Sequence, residues 1–114
     1  MNNKPFGFTD SRWGNSVYIW PQVTTYASNG NTAIQFWCNP DGFDELWATV
    51  TTNLGEPLPK ELVAIKDYAE NEALAEMLIK ANIIVPEPVG ATQSGFVIIH
   101  TYRLTEAFIK EFLA

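Results

Sequence analysis

The chain has 114 residues, the size of one domain built on a single core. Thirteen acids against seven bases give a net charge of −6. The bases Lys4, Arg12, Lys60, Lys66, Lys80, Arg103 and Lys110 are scattered, so no basic patch offers itself to DNA, RNA or an anionic membrane. Cys38 is the only cysteine, which excludes an intramolecular disulfide. There is no basic-then-apolar leader and no run of roughly 18 apolar residues, so the expected compartment is the cytoplasm.

The first half of the chain reads as sheet. Residues 16–26 alternate and are rich in β-branched and aromatic residues, among them Val17, Tyr18, Ile19, Trp20 and Val23. Pro21 interrupts this strand. Proline cannot donate to a ladder, so the strand bends, bulges or lies on an edge there. Ser28-Asn29-Gly30-Asn31 predicts a hairpin turn, and the returning strand runs over 32–38. Its Ile34, Phe36 and Cys38 share one face; Ala33, Gln35 and Trp37 share the other. Asn39-Pro40-Asp41-Gly42 is a second turn. A third strand follows over 46–54, with Leu46, Ala48, Val50 and Leu54 on one face and Trp47, Thr49, Thr51 and Asn53 on the other.

Gly55-Glu56-Pro57-Leu58-Pro59 breaks the sheet, and residues 60–82 have helical character. The clearest helix spans 72–81. Asn71 is placed to cap it, Leu74, Met77, Leu78 and Ala81 form its buried stripe, and Glu76 precedes Lys80 by four. Proline and glycine from Pro86 to Gly95 read as a loop. Residues 96–102 read as a fourth strand, with His100 beside Phe96, Ile98 and Tyr102 on one face. A C-terminal helix follows, capped by Thr105. The expected fold is α+β: one 1–114 domain, β-β-β-α-β-α, with an antiparallel sheet of about four strands and two helices on one face.

Motifs for chemistry are sparse. The only thiol and the only imidazole, Cys38 and His100, are candidates for a nucleophile–base pair or a shared ligand pocket. One His and one Cys do not make a zinc site of the usual kind, and Asp41, Asp44 and Glu45 lack the spacing of a calcium loop. Paired carboxylates for acid–base work have nothing in the sequence to single them out. No phosphate-binding glycine loop, nucleophile elbow or H-E-x-x-H occurs, so no cofactor, metal or catalytic residue is expected.

Two surface features remain. Trp13, Trp20, Trp37 and Trp47 crowd the first 47 residues. Trp37 and Trp47 lie opposite the aliphatic faces, where they either form an exposed platform or close a second small core with the N-terminal segment. Acids gather at Asp41, Asp44 and Glu45, and again at Asp67, Glu70, Glu72 and Glu76. Each group is either a solvated face or a patch for a basic partner.

The stretch from Glu70 to Leu104 resembles a family of small uncharacterised proteins, a domain of unknown function, from gut-type bacteria and their mobile elements. The Glu70-Asn71-Glu72 helix start, the Ile83-Ile84-Val85-Pro86 exit and Gln93-Ser94-Gly95-Phe96-Val97 carry the resemblance. It implies no reaction, cofactor or catalytic residue. It implies a setting in which small acidic proteins block host enzymes that handle nucleic acid.

The expected function is therefore a non-enzymatic protein-interaction module, in its sharpest form an inhibitor of a host defence or nucleic-acid enzyme. The candidate contact residues are Asp67, Glu70, Glu72, Glu76, Trp37 and Trp47, and the partner is a protein with a basic surface. The alternatives are a small-molecule protein or enzyme with a pocket near Cys38 and His100, and a homodimer through a tryptophan face.

Overall fold

The computed structural model describes residues 4–11, 16–66 and 73–113. It is α+β, with two antiparallel sheets and two helices. The first sheet has the order β1-β2-β3-β4, formed by Phe8–Asp10, Val17–Thr25, Thr32–Cys38 and Glu45–Thr49. The second has the order β5-β7-β6, formed by Leu62–Ala64, Val97–Arg103 and Gly90–Ser94. The helices are α1, Leu74–Lys80, and α2, Glu106–Phe112.

The expectation of one sheet of about four strands is corrected to four strands plus three. The 50–52 stretch links the two sheets. Val50 N–H bonds the Ile34 carbonyl on one side, while Thr52 N–H bonds the Ala64 carbonyl on the other. Thr51 forms a bridge with Ile65.

Alternation explains β2 and β3. Ile19, Ile34, Phe36 and Cys38 are buried in the core, while Tyr18, Trp20 and Trp37 point to the other face. Pro21 is tolerated because β2 is an edge at that point. Tyr26 N–H bonds the Asn31 carbonyl, so the alternation of the ladder turns the Pro21 nitrogen away from β3. On that side β1 ends at the Phe8–Ile19 pair, so no acceptor is left waiting for the missing N–H. The β2–β3 turn places Gly30 at φ +75°, while Asn29 keeps a negative φ, so it is not the two-residue Asn-Gly turn that the sequence suggests. Gly30 N–H closes the turn on the Tyr26 carbonyl.

Residues 62–64 form β5, where the sequence predicts helix. Leu62-Val63-Ala64-Ile65 is a short apolar run that periodicity cannot assign. Pairing with Thr101–Arg103 on one side and with the 50–52 stretch on the other decides it. Likewise Gly90–Ser94 is a strand, not a loop, because its whole length pairs with β7. The Gly95-Phe96 turn between them puts Gly95 at φ +61°.

The clear helix is shorter than predicted, and the expected cap Asn71 lies outside the described residues. Its C-terminal end is a Schellman motif. Ile83 N–H bonds the Leu78 carbonyl, Asn82 N–H bonds the Ile79 carbonyl, and Asn82 takes the left-handed conformation at φ 61°. The motif's apolar pair, Leu78 and Ile83, is fully buried.

One core joins all these parts. Ile19, Ile34 and Phe36 from the first sheet, Val63, Ile65 and Tyr102 from the second, and Leu74, Leu78 and Phe108 from the helices belong to a single cluster. Each such burial stabilises the fold by about 1.5–3 kcal/mol. Phe6 closes the cluster with an edge-on contact to Phe108, ring centres 5.1 Å apart.

Candidate interaction surfaces

The β3–β4 connection carries the first surface. Gly42, at φ +89°, turns the chain, and Asn39 Nδ2 donates to Asp44 Oδ1 at 2.8 Å, tying the loop across its base. What the loop presents is unusual for a tight turn. Phe43 is 79% exposed and Leu46 49%, and around them Asp41, Asp44 and Glu45 all face solvent. Leu46 pairs with Trp37 across the ladder, so the two share a face.

Trp37 is half-buried beside Leu46 and Trp20, and its indole Nε1 is buried with no hydrogen-bond partner among the described residues. Trp20 is buried on the same outer face. Tyr18 lies against it at 6.1 Å, and the Lys4 ammonium stands 5.3 Å from its ring centre. Trp37 and Trp20 thus belong to a small outer cluster closed partly by the N-terminal segment.

Trp47 departs from the predicted face. The β3–β4 register jumps from Phe36–Ala48 to Trp37–Leu46, which leaves Trp47 as the extra residue of a β-bulge. Its ring packs on the core, 6.3 Å from Phe36. Trp37 and Trp47 therefore do not form one platform.

Of the second acidic group, Asp67, Glu70 and Glu72 lie outside the described residues, as does Trp13. Glu76 is exposed on α1 and pairs with Lys80 at 3.3 Å, as the i, i+4 spacing predicts. It edges a cavity of about 500 Å³ between β1 and α1 that also touches Phe8, Asp10 and Met77. A second cavity of about 520 Å³ lies over Tyr18 and Trp20, bounded by Lys4, Asn39 and Asp44.

Cys38 and His100 occupy different sheets and line neither of these cavities. Cys38 is buried, and its thiol Sγ lies 3.7 Å from the Glu45 carbonyl. Burial, and then the nearby Glu45 carboxylate, push its pKa above the ordinary thiol value, the opposite of what a nucleophile needs. His100 faces solvent opposite Ala91. Among the described residues, no three His, Cys, Asp or Glu side chains converge on a metal position, and no helix is long and apolar enough to cross a membrane.

The second surface is the β6–β7 hairpin. Phe96 at its tip is fully exposed, Ile98 is 58% exposed, and Val89 at its base is 57% exposed. The signal for both surfaces is present in the sequence as apolar residues set in turns, Phe43 between acids and Phe96 after Gly95. Periodicity alone gives such residues no face.

No protein-family model, curated protein or solved structure matches this chain.

Proposed function

We propose that this chain is a non-enzymatic protein-interaction module that docks through its β3–β4 loop. Its partner has an apolar pocket within a basic rim. The exposure of Phe43 in a loop with three exposed acidic residues, Asp41, Asp44 and Glu45, carries the reading. Burying the phenyl ring supplies about 2–3 kcal/mol, and Leu46 beside it extends the apolar contact. The carboxylates speed encounter with a basic surface and reject acidic ones. The chain's net charge of −6 acts in the same direction at longer range. The basic channel of a nucleic-acid-handling enzyme has this chemistry, so inhibition of such an enzyme is the specific form of the proposal.

The test is capture by the tagged chain from host lysate at low and high salt, read by mass spectrometry, with two variants in parallel. Phe43→Ser weakens capture at both salt concentrations. The triple neutral variant Asp41→Asn, Asp44→Asn, Glu45→Gln loses the salt dependence. Equal capture by both variants and the wild type, or no specific partner for the wild type, overturns the proposal.

A further inference from the structure

Among the described residues, strand β6 is an edge strand without the usual protection. Edges are commonly blunted by lysine, proline, a bulge or shortness. The opposite extreme of the architecture shows this: β1 has three residues and ends in Asp10. In contrast, Gly90–Ser94 contains no charge and no proline, and it pairs with β7 in unbroken register. No Asp, Glu, Lys or Arg occurs anywhere between Glu87 and Arg103, in a chain that carries twenty such residues elsewhere or at these limits.

The ladder also fixes which backbone groups are free. Ile65 N–H bonds the His100 carbonyl, so the polar groups of His100 point to β5. Its neighbour across the other ladder, Ala91, is then a non-hydrogen-bonded partner, and its own N–H and C=O point outward. Gln93, two residues on, does the same.

We infer that β6 is a self-association edge, and that its occupant is a second copy of this chain. Antiparallel pairing of two β6 strands about a twofold axis at Thr92 overlaps the strand along its full length. It sets Ala91 opposite Gln93 of the other copy, twice, and so satisfies four outward N–H groups with four outward carbonyls. The same register brings Phe96 at the tip of one hairpin to Pro88 and Val89 at the base of the other, covering the exposed Phe96 and Val89 of both copies.

Charge is compatible with this occupant. Two chains of net −6 repel except where their contact is neutral, and β6 combines an uncharged stretch with an open sheet edge. Ile98 and His100, which share a face with Ala91 and Gln93, then continue across a six-stranded sheet. Two five-residue strands make a contact of the small class, below about 1,200 Å², and a dimer held by it is populated by mass action as concentration rises. This surface is separate from the β3–β4 loop, and either can fail without the other.

Sedimentation over a concentration series tests the inference. Wild type shifts from monomer to dimer mass as its concentration rises toward about 1 mM. Ala91→Lys with Gln93→Lys places like charges across the twofold and weakens the dimer by at least about tenfold. Mixed with Ala91→Glu plus Gln93→Glu, it forms a heterodimer, which an unfolded variant cannot do. Hydrogen exchange on the wild type gives a readout without substitution: the Ala91 and Gln93 amides are protected at high concentration and exposed on dilution. A wild type monomeric throughout, a double-lysine variant that dimerises equally well, or concentration-independent exchange at both amides overturns the inference.

Discussion

The side chain of Asn31 holds the side chain of Asn53. Asn31 Nδ2 donates to Asn53 Oδ1 at 3.2 Å and also to the Glu56 carbonyl at 2.8 Å, while Asn31 Oδ1 accepts from Leu58 N–H at 2.8 Å. Asn29 Nδ2 donates to the same Asn53 oxygen, and Asn53 Nδ2 donates to Ser28 Oγ. The network binds the first hairpin to the 53–58 segment that leads into the second sheet.

Because Asn31 is buried, its truncation strands polar groups that water does not readily reach. Asn31→Ala is expected to cost about 2 kcal/mol and to lower the melting temperature by roughly 10 °C. Circular dichroism melts check this. Asn29→Ala, at the more accessible side of the network, costs less than half as much.

Thr105 joins two segments through one hydroxyl. Its Oγ1 accepts from Phe108 N–H at the start of α2 and donates to the Asn82 carbonyl at 2.7 Å. Thr105→Ala is expected to destabilise by about 1–2 kcal/mol, and Thr105→Ser to recover most of that loss. Urea unfolding of the two variants measures the difference.

Trp37 carries a buried donor with no acceptor among the described residues, an arrangement that costs about 1–3 kcal/mol. Trp37→Phe removes that cost along with part of the ring. The expected net change is within about 1 kcal/mol of zero, whereas Trp37→Ala, which keeps none of the packing, loses about 2 kcal/mol. Denaturant midpoints of the pair decide it.

Cys38 should label slowly in the folded protein. Its thiol is buried and its pKa raised, so the reactive thiolate is scarce in the native state. The unfolded chain releases the proton at lower pH than the folded one. Stability is therefore unaffected by this group below the ordinary thiol pKa and falls as pH rises above it. Maleimide or disulfide-exchange labelling between pH 7 and pH 10 is expected to run at least about tenfold slower than in denaturant. Glu45→Gln removes the smaller of the two causes and brings the native rate up at alkaline pH.

What the sequence made legible was what local chemistry decides. Val17 to Val23 alternate, Thr105 precedes an amphipathic turn, and Glu76 stands four before Lys80; the structure has the strand, the cap and the ion pair. What it hid was decided by distant partners. Val63 is a strand residue because Tyr102 lies beside it, and Ala91 because His100 does. The face of Trp47 depends on a single extra residue in the ladder, which inverts an alternation that is otherwise correct. The candidate contact residues fared similarly. Phe43 sits in a segment that reads as acidic, and its exposure follows from the tightness of the Gly42 turn, not from any periodic pattern.

The long-range pairing of Val63 with Tyr102 also sets an order of events at the ribosome. The first sheet is built from neighbouring hairpins and closes as it emerges, at little loop entropy. Strand β5 emerges next but waits for β7, which is made much later. During that interval Val63 and Ile65 lack their cover, and chaperone occupancy of stalled nascent chains should peak before residue 97 is translated and fall once α2 has left the exit tunnel.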